Sequence, residues 1–328
     1  MKYAKKILFV TIRAHLIYTV IFLPSTFAEN INYSHYGPLR VHAQSPTHAG
    51  SLTPLLRSGF ALPEGKKEIY GSATVASVWA ETDDYYADYY HNSLNGGIKW
   101  QLTEKLMFDT NYKWSFSGDN HLDSVTIWFH DAFGVGQNGR DNTIKDKNQI
   151  FSKNGINQPD LSGDTLTNAL NFYLEYQLLS EDNYGLSIGG SLYYNHVNSG
   201  PFVDNRFEQA LQLNYSYTSG MHHFYSTTGI SFRQNDESLS GIDYKDHAVM
   251  LSLGYEYLMG RHGWLIELHH YEGLLKTDND FSKPSHEVFL GYRYYLNNSA
   301  IEFTIVENLL NMDNSTDIAF SLGYRVII

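Results

Sequence analysis

The stretch Lys105-Leu-Met-Phe-Asp-Thr-Asn-Tyr-Lys-Trp-Ser-Phe-Ser117 decides the fold class of this chain. Its even-numbered positions, from Leu106 to Phe116, are apolar or aromatic apart from one threonine, and its odd-numbered positions are mostly polar. Side chains alternate across a strand, so one face is apolar and the other is polar. The run is longer than an ordinary strand and long enough for a tilted strand to cross a bilayer, which needs about 9–11 residues. The pattern predicts a membrane-spanning β-strand.

Similar runs recur along the rest of the chain, and about twelve can be marked. This number lies within the range of bacterial outer-membrane barrels. We therefore predict an all-β protein, a transmembrane antiparallel β-barrel of about 12 strands that occupies residues 67–328. The predicted strands are 69–80, 94–102, 105–117, 166–178, 184–196, 207–217, 222–233, 247–257, 264–274, 287–296, 300–306 and 318–328.

The connections between these runs alternate between short turns and longer loops. Barrels of the outer membrane have short periplasmic turns and long external loops. The alternative is a soluble barrel or sandwich, whose polar face would usually be rich in Lys and Glu. Here the polar faces are mostly Gly, Ser, Thr, Asn and Gln, which suits a crowded lumen. The longer connections are expected at 81–92, 118–164, 197–206, 234–246, 275–286 and 308–316.

The composition excludes several kinds of protein. The chain has 328 residues and no cysteine, so disulfide frameworks and thiolate metal sites are impossible. Its net charge of −12 argues against a nucleic-acid partner. No run after residue 28 has the roughly 20 apolar residues of a spanning helix. The 15 histidines show no convincing metal-ligand spacing, and neither a metal nor a cofactor is expected.

Residues 1–28 have the pattern of a cleaved secretory signal peptide. Three lysines precede an apolar run, and Thr26-Phe27-Ala28 offers a small-x-small cleavage site. Residues 29–66 differ from the rest because they contain four of the eight prolines, which cannot donate to a strand ladder. We expect this segment either to fill the barrel lumen as a plug or to lie in the periplasm.

Charged residues on the polar faces fall at one depth of the predicted barrel. Such buried charges are tolerated when they are paired. They form either a salt-bridge belt that stiffens a narrow lumen or a constriction that selects solutes by charge. The predicted belt consists of Lys99, Asp109, Glu175, Glu256, Glu267, Arg293, Glu302 and Arg325.

The loop at 118–164 is the largest insertion and is expected to be an extracellular lid. The helical spacing of Leu122, Val125, Phe129 and Ala132 predicts a short helix over 122–133, which would cap the mouth or lie at the lipopolysaccharide surface. His130 and Asp131 on this helix are weak candidates for an acid–base pair. His270, which interrupts the apolar face of its strand, is a third weak catalytic candidate, and no nucleophile motif surrounds any of them.

Several stretches resemble a family of Gram-negative outer-membrane proteins known only as a domain of unknown function. They are Gly37–Pro46, Phe129–Gly134 with Gly139–Asp141, and Val306–Asn311 with Asp317–Tyr324. Other members have Leu-Pro where this chain has Val135-Gly136. The resemblance implies a barrel and no particular activity. It also suggests that one group of residues acts together where plug and lid meet, namely Arg40, Gln44, His130, Asp131, Arg140 and Asp141.

The last strand, Ser321-Leu-Gly-Tyr-Arg-Val-Ile-Ile328, is similar to the C-terminal signal read by the barrel-assembly machinery. The expected location is therefore the outer membrane of a Gram-negative cell, in contact with its lipids and lipopolysaccharide. The leading function is a channel or passive transporter for a small solute, so an enzyme is the less expected reading. The alternatives are a lipid-modifying enzyme of phospholipase or deacylase type and a structural or adhesive surface protein.

Overall fold

The computed structural model describes residues 36–83, 85–134, 136–137, 139–153, 155–233, 243–276, 280–311, 314 and 316–328. The signal peptide expected at 1–28 lies outside these residues and stays a prediction. Among the residues described, no helix is long and apolar enough to cross a bilayer.

Twelve antiparallel strands form a closed wall, because β1 pairs with both β2 and β14. The predicted twelve-stranded barrel is thereby confirmed. The strands of the wall are β1 (Lys67–Glu81), β2 (Tyr85–Gln101), β3 (Leu106–Phe116), β6 (Thr165–Ser180), β7 (Tyr184–Val197), β8 (Asp204–Ser219), β9 (His222–Arg233), β10 (His247–Met259), β11 (His262–Tyr271), β12 (Ser285–Tyr295), β13 (Ser299–Leu310) and β14 (Ile318–Ile327). Two short strands, β4 (Gln149–Ser152) and β5 (Asn157–Gln158), continue the sheet beside the upper part of β2.

The outward positions of the wall are apolar and exposed, and the inward positions are buried and largely polar. On β6, Leu170, Phe172 and Leu174 are exposed, whereas Asn171 and Glu175 on the opposite face are buried. This is the reverse of a water-soluble barrel, because large apolar faces are stable only against lipid or another apolar surface.

The wall has two ends of different character, which we call the turn end and the loop end. Both ends of the wall, Lys67 and Ile328, lie at the turn end with the short connections. The loop expected at 81–92 is largely strand instead, since β2 begins at Tyr85 and pairs with β1 as far as Glu81. Its outward side chains Asp88 and Tyr90 are buried by the following loop, so they do not show the apolar alternation of a lipid-facing strand.

Residues 36–66, here called the luminal segment, run through the interior of the barrel. The segment starts near Tyr295 at the turn end and rises to a single helical turn, α1 (Pro46–Ala49), near the loop end. It then descends, and the amide of Leu62 meets the side chain of Gln101 at the turn end. The segment therefore enters and leaves the lumen at the same end.

Two glycines allow the descending limb to touch the wall. A Cβ atom on Gly59 would lie 2.3 Å from the carbonyl oxygen of Gly185 on β7, and one on Gly185 would lie 2.5 Å from the carbonyl oxygen of Gly59. Real Cβ atoms do not approach backbone so closely. The luminal segment can therefore pack against β7 at this point only because neither residue has a side chain.

The long loop at 118–164 divides into two parts. Its helix α2 (Leu122–Phe133) lies against the outer face of the wall, because Asp123 meets Ser77, an outward-facing residue of β1. The helix therefore does not cap the mouth. The later residues of the loop do reach the mouth, where Ile150 and Leu161 pack beside the inward-facing Ala87 of β2.

We expect Gly185→Ala to displace the luminal segment, because its methyl group would collide with the backbone of Gly59. Hydrogen exchange of the amides of residues 36–66 should become faster, while the barrel keeps its heat-modifiable migration on gels. The matched control is Gly190→Ala on the same strand, where the nearest atom would be 3.4 Å away. Equal exchange in the two variants would contradict this account of the contact.

Candidate functional site

The carboxylate of Asp109 on β3 is the centre of the lumen. It accepts hydrogen bonds from Arg40 (2.8 Å), Arg57 (2.7 Å) and the hydroxyl of Tyr70 (2.7 Å). Arg40 belongs to the ascending limb of the luminal segment and Arg57 to the descending limb. Each guanidinium also lies over a tyrosine of the wall, Arg40 over Tyr70 at 3.9 Å and Arg57 over Tyr173 at 3.8 Å. One wall residue therefore holds both limbs.

A second charged group lies nearer the turn end. Arg293 bonds to Glu302 (2.7 Å) and Glu256 (3.1 Å), and Arg325 bonds to Glu302 (3.1 Å) and Glu68 (2.7 Å). The same guanidinium groups donate to carbonyl oxygens of the luminal segment, from Arg293 to Gly37 (2.8 Å) and from Arg325 to Pro38 (2.9 Å). The charges of the wall thus bind one another and the segment together.

The structure places all eight residues of the predicted belt on the inner face, and all are buried. Lys99 is the register partner of both Asp109 and Glu68. Glu175 accepts the hydroxyl of Tyr173 at 2.8 Å. The sequence analysis did not identify Glu68 or Arg57, because the first lies at the very start of its strand and the second in a segment without periodicity.

Towards the loop end, wall carboxylates accept backbone amides of the luminal segment. Glu287 accepts the amide of Ser45 (2.7 Å), Glu267 that of Leu39 (2.7 Å) and Glu208 that of Leu52 (3.1 Å). An isolated extended segment has no strand ladder, so these side chains satisfy amides that would otherwise be buried without partners. Glu208 also lies beside Arg206 (3.0 Å) and Arg233 (3.3 Å), a pair of cations that the sequence analysis missed.

Ser252, His269 and Glu267 have the order of a hydrolytic triad. The hydroxyl of Ser252 is 2.8 Å from Nδ1 of His269, and Nε2 of His269 is 3.0 Å from Glu267. A triad also needs room for a substrate beside the nucleophile. Here all three side chains are buried, Glu267 binds the amide of Leu39, and the ring of Phe289 stacks on His269 at 4.2 Å. In this conformation Glu267 binds the luminal segment, and the described residues leave no space for a substrate beside Ser252.

The six residues that the family resemblance grouped together lie in separate places. Arg40 bonds to Asp109 deep in the lumen, and the backbone N–H of Gln44 donates a hydrogen bond to Glu287. Arg140 instead lies beneath α2 on the outer side of the wall, where it contacts Asp123, Asp317 (2.7 Å) and Ser77 (2.8 Å). Tyr70 beside Arg40 and Ser77 beside Arg140 are on one strand, about 23 Å apart.

The remaining residues of that group and the weak catalytic candidates do not form one site either. His130 is buried, with Nε2 3.4 Å from Glu307 on the outer face. Burial lowers the pKa of His130, but the neighbouring carboxylates of Glu307 and Asp317 together raise it by more, so this pKa lies above its ordinary value. Asp131 is exposed and accepts a hydrogen bond from Gln137 at 2.8 Å.

The other two candidates are also at the surface. His270 faces His286 on the outer surface, with their Nδ1 atoms 3.3 Å apart. Asp141 is exposed and accepts Asn142 at 3.1 Å.

In the described part of the chain, Asp119, His121 and Asp146 bring three possible metal-ligating atoms within 4.8 Å of one another. All three side chains are exposed on the long loop. Exposed acidic groups of this kind are common without an ion, and no other feature at this place indicates one.

Two histidines of the luminal segment, the buried His48 and the half-buried His42, are held as neutral rings. Burial lowers the pKa of His48 from 6.5 to about 4, and burial lowers that of His42 from 6.5 to about 3 with help from the charge of Lys113. His48 has Nε2 3.0 Å from the carbonyl oxygen of Glu272 and Nδ1 3.1 Å from the hydroxyl of Ser45. Protonating either ring would place a charge where it is poorly solvated.

Comparison with known proteins agrees with this architecture. The family model described as "Protein of unknown function (DUF3187)" matches residues 14–328. No curated protein matches the chain. Among solved structures, the COG4313 outer membrane channel from Pseudomonas putida F1 is similar with a TM-score of 0.55 and 13% identity, covering 85% of this chain and 100% of that one.

Two other similar structures are more distant. The NanC porin has a TM-score of 0.45 and 10% identity, with 79% of this chain and 98% of that one covered. The Pseudomonas putida toluene transporter TodX has a TM-score of 0.39 and 10% identity, with 88% and 98% covered. The likeness to the COG4313 channel establishes the fold, which is that of an outer-membrane barrel.

We expect acid to weaken the seating of the luminal segment through His48 and His42. Their pKa values are lower in the seated state than the ordinary 6.5, so seating is fully favoured above pH 6.5 and is progressively lost as the pH falls towards about 4. Hydrogen exchange of residues 36–66, corrected for the intrinsic rate, should rise at least about tenfold from pH 7 to pH 5. In the double variant His42→Gln, His48→Gln this rise should be much smaller. The same profile in both proteins would refute the assignment.

Proposed function

The chain belongs to the DUF3187 family, and from its geometry we propose that it is an outer-membrane channel or passive transporter whose lumen is closed by residues 36–66 acting as a plug. The observation that carries this proposal is the course of the segment. The wall encloses a lumen that a stretch of chain fills, and that stretch enters and leaves at one end. A barrel with only a structural role could fill the same space with side chains of the wall.

The plug is held by interactions that water can replace. Its amides and guanidinium groups bond to wall carboxylates, hydroxyls and amides, among them Asp109, Glu208 and Gln101. A hydrogen bond exchanged for bonds to water changes the free energy by only about 0.5–1.5 kcal/mol, although charged bonds contribute about 1.5–3 kcal/mol. Withdrawal of the plug towards the turn end would leave a polar, hydrated lumen.

Within the described part of the chain, the spaces between plug and wall at mid-depth are small. One cavity beside Lys99 and Glu175 measures about 20 Å³, and two others, beside Lys113 and Asn171 and beside Tyr70 and Thr304, measure about 10 Å³ each. A cavity needs roughly 10–15 Å³ to hold one water molecule. The proposed channel is therefore closed in this conformation, and movement of the plug opens it.

The two ends take opposite sides of the membrane in this proposal. The turn end faces the periplasm, as short turns do in outer-membrane barrels, and the loop end faces the exterior. The C-terminal strand β14, which completes the wall against β1, is the segment that the barrel-assembly machinery would recognise. Outer-leaflet lipids and lipopolysaccharide are the expected surroundings of α2, and a small solute is the expected cargo.

The helix α2 supports contact with the outer leaflet. It buries Asp123, Thr126 and His130 against the wall and exposes Val125, Trp128 and Phe133, with Trp128 66% exposed. An amphipathic helix with aromatic residues on its free face is typical of a membrane interface. The helix lies beside the apolar band of the strands, so its free face continues the surface that lipid covers.

We expect a polarity-sensitive fluorophore on Trp128→Cys to report an apolar environment in lipid vesicles that contain lipopolysaccharide. The chain has no other cysteine, so labelling is specific. The control is Asp160→Cys in the later part of the same loop, which is exposed and should report water. Indistinguishable spectra from the two sites would show that α2 does not meet lipid.

The channel is tested by loosening the plug without deleting it. In Arg40→Gln, Arg57→Gln the plug loses both bonds to Asp109, and we expect ion conductance in planar bilayers where the unaltered protein is silent. A disulfide between Pro54→Cys and Gly229→Cys should silence this variant again. A Cβ on Gly229 would lie 3.0 Å from that of Pro54, so a separation of the two backbones by about 0.5–1 Å gives the disulfide spacing of about 3.5–4.5 Å. Reduction should restore conductance. A loosened, folded variant that never conducts would overturn the proposal.

A serine hydrolase is the second candidate, because Ser252 lies 2.8 Å from His269. The two candidates separate with a fluorophosphonate probe on the loosened variant. Labelling that is lost in Ser252→Ala would favour the hydrolase, and conductance that persists in Ser252→Ala would favour the channel.

A further inference from the structure

The inside of the barrel changes character at the loop end. Below α1 the lumen is lined by charges and hydrogen-bonding groups, but above α1 it is apolar. A cavity of about 60 Å³ lies there, with α1 as its floor. Most of the residues that line it are apolar, among them Pro46, Ala87, Tyr89, Leu166, Phe202 and Tyr244.

The charged residues beside this cavity are already neutralised. Arg206 lies 3.0 Å from Asp204 and 3.0 Å from Glu208, and its guanidinium lies over the ring of Tyr244 at 4.2 Å. Glu208 also meets Arg233. Two cations are therefore balanced by two carboxylates. An ion entering the cavity would find no uncompensated opposite charge, and its desolvation would be unfavourable.

One hydrogen-bond donor at the cavity is free. Within the described part of the chain, Nη1 of Arg206 is buried and has no hydrogen-bond partner. Nε of the same side chain makes no hydrogen bond either, but it lies 3.0 Å from the carboxylate of Glu208. A buried donor without a partner is unfavourable by about 1–3 kcal/mol. A neutral oxygen of a ligand, such as that of a carbonyl or a hydroxyl group, would satisfy it without adding charge.

Phe202 forms part of the cavity wall. This ring is half-buried in the loop after Gly200, and its centroid lies 5.7 Å from that of Tyr89. A cavity of about 150 Å³ can hold benzene, so the present 60 Å³ is too small for an aromatic ring. Rotation of Phe202 outward would provide the missing space, and a ligand ring would then take its place against Tyr89.

We propose that this mouth cavity binds a small uncharged compound with an aromatic or aliphatic body and one oxygen acceptor. The proposal rests on the plugged channel described above, because the ligand would lie on α1 and contact Pro46, Thr47 and Gly50 of the plug. Thr47 itself bonds to Asn314 at 3.0 Å, a contact between the plug and the β13–β14 connection. A ligand at the mouth thus touches the plug before it enters the lumen, and it defines the class of solute that the channel admits.

The test is ¹⁹F NMR titration of the full chain in lipid nanodiscs with three probes of similar size. They are 4-fluoroacetophenone, which has a neutral acceptor, fluorobenzene, which has none, and 4-fluorobenzoate, which is an anion. We expect saturable binding that is tightest for 4-fluoroacetophenone, weaker for fluorobenzene and weakest for 4-fluorobenzoate. Empty nanodiscs correct for partition into lipid. Tightest binding of the benzoate, or no saturable binding of the acetophenone, would overturn the proposal.

Variants locate the binding. Leu166→Trp fills the cavity and should weaken acetophenone binding at least about tenfold, whereas Leu170→Trp, on the lipid-facing side of the same strand, should not change it. Ala87→Phe fills the cavity from β2 and replaces Leu166→Trp if that variant does not fold. Phe202→Ala should tighten binding. Unchanged affinity in a folded cavity-filling variant would show that the probe binds elsewhere.

The outcome is independent of the channel itself. Conductance of the loosened plug variant together with no acetophenone binding would leave the channel standing and refute the mouth cavity. Saturable binding of 4-fluoroacetophenone together with no conductance would support the mouth cavity and refute the channel.

Discussion

A single buried carboxylate, that of Asp109, lies where the wall and both limbs of the plug meet. An outer-membrane barrel must present apolar side chains to lipid, so polar residues are confined to its interior. A lumen lined in this way is stable only when water or matching polar groups fill it. Arg40 and Arg57 supply such groups, and the ion pairs around Arg293 and Arg325 extend the arrangement to the turn end. The polar lumen and the polar plug therefore depend on each other.

The wall could be predicted from the sequence because each strand shows its two environments locally. Phe108 and Asp109 are neighbours in the chain, and their alternation alone indicates lipid on one side and lumen on the other. The contents of the lumen could not be predicted in the same way. The partners of Asp109 lie in a proline-rich segment without periodicity, and their meeting depends on the register of strands far apart in the sequence. Arg206 was missed because its strand begins at Asp204, three residues earlier than predicted.

In the long loop, the sequence predicted a helix correctly but did not indicate which face of it is buried. The spacing of Leu122, Val125 and Phe129 correctly indicated a helix, and in a soluble domain such a stripe would be buried. Here most of the buried residues are polar, with Asp123 and His130 held by Arg140 and Glu307, and of the apolar residues only Leu122 is buried. The strands show the same reversal, with polar side chains buried and apolar side chains exposed. Both follow because the surface of the barrel faces hydrocarbon rather than water.

The closing seam between β1 and β14 also has a consequence for biogenesis. Arg325 on β14 bonds across the seam to Glu68 on β1, and the same guanidinium binds the backbone of residues 36 and 38. The first and last strands of the wall thus share a hydrogen-bonding partner with the N-terminal segment that precedes them. Closure of the barrel and insertion of the plug therefore depend on the same side chain. A newly made chain whose N-terminal segment lies outside the lumen would lack the bonds from Arg325 to that segment at the point where β1 and β14 meet.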